Sequence, residues 1–405
     1  TNASHLSEWR MKSNRLNIRV TEEEKRGLKT ESSRRRKAAA FCFSVLLAIG
    51  VVFSGFAACG FGSPFVNTAY AASYDAEDVQ VSQDGVTFTC DFLDDGTAVV
   101  TKIVADDGVT TVSVPLSLAN NGKDYTVTGV RFPYGTKGSD VEQLILPDTL
   151  QTMSGYYFSK LKKVKELTIP GSVTNFSCTL QNSNCLEKLT FSEGVEELSA
   201  NMMVANCGNL KEIVLPSTLK SISQPGAFSD ASALETINLP DGVEFGENVG
   251  SAFSDCSSLT SITLPASVTT IHSSMFKGCD SLTSITAKGN IESIGSSAFS
   301  GCKALTEVAL QGKLTSVGDS AFQNCSSLEN TPDLSAVTKL GSYAFYNCKS
   351  LSCSVDLSSL SEIPGYAFCY APVTVEKFSD SLESIGKWAL IWATIEDNLP
   401  VTLQS

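Results

Sequence analysis

The chain has 405 residues, a net charge of −13 and only 18% charged residues. Abundant glycine and serine at this low charge indicate a turn-rich β protein and exclude a helical bundle. Residues 1–37 hold eleven of the 30 lysines and arginines, so the remainder is acidic and contains a single arginine, Arg131. Nucleic-acid binding requires clustered basic residues against the phosphates, and the acidic body therefore excludes it. The same acidity keeps copies apart, and we expect a monomer.

Residues 1–73 are predicted to comprise a cytoplasmic basic segment and an export signal. Residues 34–37 are all basic, residues 38–56 are apolar, and Ala69-Tyr70-Ala71 fits the small-residue pattern of a signal-peptide cleavage site. An uncleaved signal anchor and a lipoprotein acylated at Cys59 are the alternatives. All three place the rest of the chain outside the cytoplasm, secreted or at the cell surface. Membrane contact is then confined to the N-terminal apolar segment.

Residues 74–135 are predicted to form a β-rich N-terminal cap. Residues 86–92 alternate apolar and polar side chains as a half-buried strand does, and Asp94-Asp95-Gly96 is a hairpin-type turn before residues 99–104. A second turn at residues 120–123 precedes another alternating run. A repeat array needs such a cap, because its first strand otherwise presents an open edge.

Residues 136–405 are self-similar at a nearly fixed period, and the clearest units are spaced by 23 to 25 residues. Such a period predicts a β-rich solenoid whose repeats of about 23 residues contribute short parallel strands. Residues 399–405 match residues 146–152, which predicts that the array ends partway through a repeat. The clearest units begin at Leu210, Leu234, Leu259, Leu282, Leu305, Leu328 and Leu351.

The unit that begins at residue 259 shows what each part of a repeat does. Ile262 and Leu264 alternate with polar residues, which predicts a short strand with one inward face, and Pro265 ends that strand. Phe276 fills another side and Cys279 closes the turn. Stacked turns place like residues over like residues and predict a buried column of rings. Its members are Phe228, Phe253, Phe276, Phe299, Phe322, Phe345 and Phe368.

Most of the 13 cysteines also follow the repeat. A buried cysteine behaves as a small apolar group, and pairing adjacent rungs would strain a regular stack, so we predict a ladder of free thiols. Bridges between Cys178 and Cys185 and between Cys353 and Cys369 remain alternatives. The ladder positions are Cys207, Cys256, Cys279, Cys302, Cys325 and Cys348.

The pattern L-x-x-I-x-L-P-x-x-V-x-x-I-G-x-x-A-F-x-x-C resembles the BspA-like leucine-rich repeats over about residues 110–405. The resemblance implies a leucine-rich-repeat solenoid of a bacterial-type surface protein, of a kind linked to adhesion or host-protein binding, with no catalytic residues. The chain departs from the pattern where Leu180, Val204 and Leu390 replace phenylalanine and where Ala231 and Ala371 replace cysteine.

The residues themselves predict no catalytic, cofactor-binding or metal site. The sequence has no CxxC pair and only two histidines, His5 and His272. We interpret His272 as an exposed polar residue, since a general base needs an orienting acid and a nucleophile beside it. The prediction is that the protein is not an enzyme and uses no cofactor.

The outward positions of the repeat strands form a row of small polar residues that suits a broad, shallow contact. We therefore predict adhesion or host interaction through binding of an extracellular protein or glycan. The simpler alternative is a solvated face that binds no ligand. The alternatives are a structural spacer that displays a C-terminal domain, or the non-catalytic repeat region of a larger surface enzyme. The candidate binding face consists of Glu212, Asn238, Ser261, Thr263, Ser284, Thr286 and Glu307.

Overall fold

The computed structural model describes residues 73–132, 137–155, 158–247 and 249–399, and the backbone of residues 7–10 and 17–20. The apolar stretch, the cleavage site and Cys59 lie outside the described residues. The chain divides into residues 1–70 and 71–405; in the first unit β1 (Ser7–Arg10) and β2 (Asn17–Val20) pair in antiparallel fashion. None of the described segments is a helix with the length and apolarity that a bilayer span requires.

A β cap precedes the repeats. Its hairpins form because Asp84 and Gly85 both adopt a positive φ, as a tight two-residue turn requires, and Gly96 does so at the next turn. Its main sheet consists of β3 (Tyr74–Gln83), β4 (Val86–Leu93), β5 (Thr97–Ala105), β7 (Ser117–Asn120), β8 (Lys123–Phe132) and β10 (Thr152–Gly155). The sheet runs in the order β10-β8-β5-β4-β3, β7 pairs with β8, and β8 is parallel to both β5 and β10. The short strand β6 (Thr111–Ser113) lies outside this sheet and pairs in parallel with β9 (Gln143–Ile145).

The repeats form a stack of short strands and turns whose strands pair in parallel. A single turn of 3-10 helix, Phe158–Lys160, lies among the first of them. The strands are β9 (Gln143–Ile145), β10 (Thr152–Gly155), β11 (Glu166–Ile169), β12 (Asn175–Phe176), β13 (Lys188–Phe191), β14 (Glu197–Leu198), β15 (Glu212–Val214), β16 (Ser221–Ile222), β17 (Glu244–Phe245), β18 (Ser261–Leu264), β19 (Thr270–Ile271), β20 (Ser284–Asn290), β21 (Ser293–Ile294), β22 (Glu307–Gln311), β23 (Ser316–Val317), β24 (Lys339–Leu340), β25 (Ser354–Leu357), β26 (Glu362–Ile363), β27 (Thr374–Phe378), β28 (Ser384–Ile385) and β29 (Thr394–Ile395).

The longer strands line the first side of each turn and form three parallel ladders, β11-β13-β15, β18-β20-β22 and β25-β27-β29. Alternation puts every second side chain inward: Ile262 lies beside Ile285, which in turn lies beside Val308. The two-residue strands β19, β21, β23 and β24 form a ladder on a second side. Residues 234–240 and 328–333 carry no strand, and in the latter Pro332 has no N–H for a ladder.

The third side of each turn carries the predicted column of phenylalanine rings. From Phe228 to Phe368, successive ring centroids lie 5.0–5.5 Å apart and the interplanar angles are 4–17°. Burying such a ring contributes roughly 1.5–3 kcal/mol. The predicted column is therefore confirmed as the core of the stack.

The predicted thiol ladder is also confirmed, because all eleven described cysteines are free and the two alternative bridges are not formed. From Cys256 to Cys348, each ladder thiol donates a hydrogen bond to the carbonyl oxygen of the phenylalanine in the turn before it. Cys279 reaches the oxygen of Phe253 at 3.1 Å, and Cys302 reaches that of Phe276 at 3.0 Å. The cysteine position thus joins neighbouring turns as well as filling volume.

In three successive turns a glycine (Gly295, Gly318 and Gly341) lies four residues before the ring, where the stacked backbones approach too closely for a side chain. A Cβ atom at Gly295 would lie 2.5 Å from the backbone nitrogen of Ser273, and one at Gly318 would lie 2.5 Å from that of Ser296. Alanine at either position would force the turns apart.

Candidate functional site

Five residues of the candidate binding face lie together on the ladder β18-β20-β22. In register across the three strands, Ser261 lies beside Ser284 and then Glu307, and Thr263 lies beside Thr286. Four of them are exposed and Ser284 is half-buried. Within the described part of the chain, the hydroxyls of Thr263 and Thr286 form no side-chain hydrogen bond, so both are available to a ligand. These five residues are called the strand face below.

The other two predicted residues lie elsewhere. Glu212 belongs to the separate ladder β11-β13-β15, where it lies beside Lys188 and forms an ion pair with it at 2.9 Å. Asn238 is exposed in residues 234–240, which carry no strand. Lys165 and Glu187 form a similar ion pair at 3.0 Å, so the earlier ladder presents alternating charges rather than free hydroxyls. The residues predicted to form one row therefore belong to surfaces of different chemistry.

A second outward surface, which the sequence analysis did not single out, lies along the corner beside the phenylalanine column. Over its earlier turns it is a polar groove of about 900 Å³. Lys303 pairs with Asp280 at 2.8 Å, and burial, followed by the negative charge of Asp255, raises the pKa of Asp230. Among the described residues no three His, Cys, Asp or Glu side chains are grouped to hold a metal ion. The groove is therefore a mixed-charge surface.

Over the later turns the same corner carries a cluster of aromatic rings. The rings of Tyr343 and Tyr366 stack at 4.6 Å, and Trp388 meets Tyr366 edge-on at 5.3 Å. Trp392 meets Tyr370 edge-on at 4.9 Å. The signal was present in the sequence as GSYAF, PGYAF and GKWAL, where earlier turns read GSSAF and GDSAF. We call the group the aromatic corner; it consists of Tyr343, Tyr346, Tyr366, Tyr370, Trp388 and Trp392.

His272 is half-buried, so its interpretation as an exposed residue was wrong. His272 directly follows β19, and burial lowers the pKa of the imidazole. The side chain is therefore neutral near pH 7, which suits a packing role.

Burial also makes the ladder thiols unreactive, because it disfavours their ionised form. Burial raises the pKa of Cys256, Cys302 and Cys348 to about 12 each. Since the thiolate is the nucleophile and metal ligand, these side chains lack the ionised form that such chemistry needs.

Comparison with known proteins gives a family and a fold. The family model described as BspA type leucine rich repeat region, in six copies, matches residues 134–249 and 247–374. A leucine-rich repeat protein from Bacteroides ovatus is 23% identical with a TM-score of 0.50, and the match covers 76% of this chain and 90% of that one. No curated protein sequence matches the chain.

Two further solved structures are similar to the chain to a lower degree. A leucine rich cell surface protein from Faecalibacterium prausnitzii is 20% identical with a TM-score of 0.39, covering 80% of this chain and 96% of that one. The pneumococcal vaccine antigen PcpA is 16% identical with a TM-score of 0.42, covering 80% and 92%. At these identities the similarity concerns the fold alone.

Proposed function

The chain belongs to the BspA type leucine-rich repeat family, and on that premise we propose that it is an exported cell-surface protein that binds an extracellular protein or glycan. Export is supported by the basic and apolar pattern of residues 34–56 followed by the small-residue motif at residues 69–71. On this proposal the repeats are non-catalytic and act through their surface.

The observation that carries the proposal is the strand face. Ladder pairing fixes Ser261, Thr263, Ser284, Thr286 and Glu307 on one surface, and the hydroxyls of the two threonines are open to solvent. A rigid backbone that already holds these groups in place lowers the entropy cost of binding. Small side chains at fixed spacing allow a broad partner to approach the strands closely.

The test is a binding screen of the full chain against immobilised extracellular-matrix proteins and mucins. We expect saturable binding that is weakened at least tenfold in the triple variant Thr263→Lys, Thr286→Lys, Glu307→Lys. Each long charged side chain would obstruct close approach and reverse or add charge across the strand face.

The matched control is Thr269→Lys, Glu292→Lys, Thr315→Lys, which replaces the same residue types at exposed positions next to the second-side strands β19, β21 and β23. The control makes the same change in net charge, and we expect it to bind as the unmodified protein does. Equal loss in both triple variants would show a general charge effect. No binding across the panel would overturn the proposal and favour the spacer alternative.

A further inference from the structure

The aromatic corner places bulky rings in a backbone conformation that L residues avoid. In most earlier turns the same two corner positions hold glycine, serine or another small polar residue, for example Ser297 and Asn324, and Met202 is an exception. Bulky residues with a positive φ are outliers, and such outliers concentrate at functional sites. The five rings in this conformation are Tyr343 (φ 58°), Tyr366 (60°), Tyr370 (60°), Trp388 (58°) and Trp392 (78°).

The cluster has a supported interior and an exposed outer edge. Tyr343 and Tyr366 cover each other's faces at an interplanar angle of 7°, and Tyr370 packs against Trp392 at 67°. The two tryptophans remain 52% and 55% exposed, which is high for the most apolar rings in the group. The tyrosines therefore contact Trp388 and Trp392 from within the cluster, while about half of each tryptophan side chain remains exposed to a ligand.

The size of the aromatic corner limits what it can bind. The column from Tyr343 through Tyr366 to Trp388 advances by 4.6 and then 5.3 Å between ring centroids. A specific protein interface covers about 800 Å² on each partner, which requires far more surface than three short rungs. A few rings of a sugar chain, by contrast, match a column of this length.

The groups around the rings match the polar part of a sugar. In the row that contains Tyr370 and Trp392, the two preceding turns carry Asn347 and Asn324, whose amides are joined by a hydrogen bond of 2.8 Å from Nδ2 of Asn347 to Oδ1 of Asn324. The remaining amide atoms can accept from and donate to hydroxyls. Lys387, with its Nζ 4.9 Å from the Trp388 ring centroid, supplies a further donor.

We propose that the aromatic corner binds a neutral glycan, with Trp388 and Trp392 against the C–H faces of its sugar rings and Asn324, Asn347 and Lys387 on its hydroxyls. The electron-rich face of an indole attracts weakly positive C–H groups. The acidic body, with 38 of the 43 Asp and Glu residues after residue 37, repels polyanions. This inference rests on the proposed role as a binding protein but uses a surface separate from the strand face.

The three tryptophans of the chain make the site observable. In full-length Trp9→Phe protein, Trp388 and Trp392 are the only indoles, so their emission reports contact directly. The probes are laminarin, xylan, mannan and galactan, with heparin as a polyanion control. We expect a saturable emission change with at least one neutral polysaccharide, retardation in a native gel that contains it, and no response to heparin.

The test variant, Trp388→Ser with Trp392→Asn, introduces the residue types found at these corner positions in other turns. We expect its affinity for the polysaccharide, measured by gel retardation, to weaken at least tenfold. The control Met202→Ser removes a side chain that is 40% exposed with a positive φ at the matching position of an earlier turn. It should bind normally. Far-ultraviolet circular dichroism and the denaturation midpoint establish that each variant is folded.

The proposal is overturned if no polysaccharide changes the emission, or if the double variant still binds. Loss of a matrix-protein ligand in the double variant, without any polysaccharide binding, would also overturn it and make the corner a protein contact. The lysine variant of the strand face separates the two questions. Glycan binding that this variant retains supports the aromatic corner even if the strand face proves inactive.

Discussion

The later and earlier turns of the solenoid share one backbone path but fill it differently. From Phe228 to Phe368 every turn contributes one ring to a continuous stack, and these are called the regular turns below. In the preceding turns Leu180 and Val204 occupy the ring position and are fully buried. The strands of those turns also bury two further rings, which add to the apolar volume there. The comparison shows that the fold demands inward apolar volume at each level rather than a particular side chain.

The two further rings belong to phenylalanines that meet edge-on. Phe176 on β12 and Phe191 on β13 have ring centroids 5.2 Å apart and an interplanar angle of 78°. The arrangement is favourable, but it is particular to these turns and cannot be repeated along the axis. The regular turns have a solution that every new repeat can extend.

The two regions also differ in how completely buried polar atoms are paired. In the regular turns each ladder thiol has a carbonyl acceptor at 3.0–3.1 Å. In the earlier turns the ladder thiol of Cys207 donates to the carbonyl oxygen of Leu180 at 3.3 Å, and the hydroxyls of Ser172 and Ser183 are buried with no partner among the described residues. Repetition has thus been accompanied by fuller hydrogen bonding.

Truncation of a ring inside the regular stack should have the largest effect. Phe299→Ala removes a fully buried ring that contacts two neighbours, and we expect it to lower the free energy of unfolding by about 3–5 kcal/mol. Phe299→Leu installs the side chain that Leu180 provides naturally and should cost no more than about half as much. Urea unfolding followed by circular dichroism measures both.

If Phe299→Ala and Phe299→Leu lower the free energy of unfolding by the same amount, inward apolar volume alone does not explain the difference between the two regions. Equal costs would mean that the stack requires aromatic contacts and that leucine is tolerated at position 180 only because Phe176 and Phe191 lie nearby. Leu180→Phe is the reciprocal control. It should destabilise the earlier turns, since a larger side chain would overfill a position that is already fully buried.

A smaller effect is expected from pH through the ladder thiols. Burial raises the pKa of Cys302 from its ordinary value of 9.0 to about 12. The thiol is neutral when protonated, so its raised pKa stabilises the folded state relative to the unfolded state below pH 9.0. This stabilisation is lost as the pH rises from 9.0 towards 12. Per thiol, the free energy of unfolding should fall by on the order of 1 kcal/mol between pH 7 and pH 10.

The measurement compares the protein with Cys302→Ala, under reducing conditions, at pH 7 and pH 10. Alanine occupies this position naturally at residues 231 and 371, so the variant should fold. The stability gap between the two proteins should narrow at the higher pH. The cost of Phe299→Leu, which removes no titrating group, should stay constant; a Cys302→Ala gap that also stays constant would contradict buried, protonated thiols.

The interior of the solenoid could be predicted from the sequence because buried positions must recur at every turn. The period placed Ile262, Phe276 and Cys279 on three different parts of the unit, and the structure agrees. The thiol hydrogen bonds were not foreseen, since they depend on how far one turn is displaced against the next. That displacement is set by backbone contacts such as the one at Gly318.

The outer surface was much harder to predict. Glu212 and Ser261 occupy equivalent positions of their units, yet Glu212 forms an ion pair with Lys188 whereas Ser261 lies beside the uncharged Ser284, because the neighbour comes from a repeat of different sequence. Solvent-facing positions need not repeat, so the period says nothing about their chemistry. The aromatic corner escaped notice for the same reason, although Tyr343, Tyr366 and Trp388 are 22 or 23 residues apart.

The smallest predicted effect concerns the unpaired hydroxyl of Ser183 in the earlier turns. The side chain is 1% exposed and its Oγ atom has no hydrogen-bond partner among the described residues. A buried polar atom without a partner carries its desolvation cost uncompensated, so Ser183→Ala should raise the free energy of unfolding by about 1 kcal/mol. Urea unfolding of the full chain at pH 7 measures the change.

The matched variant is Ser229→Ala in the regular turns, where the Oγ atom donates to the carbonyl oxygen of Gly226 at 3.0 Å. Removal of a satisfied hydroxyl should leave stability unchanged or lower it by up to about 1 kcal/mol. If Ser183→Ala raises and Ser229→Ala lowers the free energy of unfolding, the earlier turns are less stable because of incomplete hydrogen bonding rather than because of the absence of a ring. If Ser183→Ala is destabilising, the hydroxyl must have a partner such as a buried water, and the difference between the regions then lies in apolar packing alone.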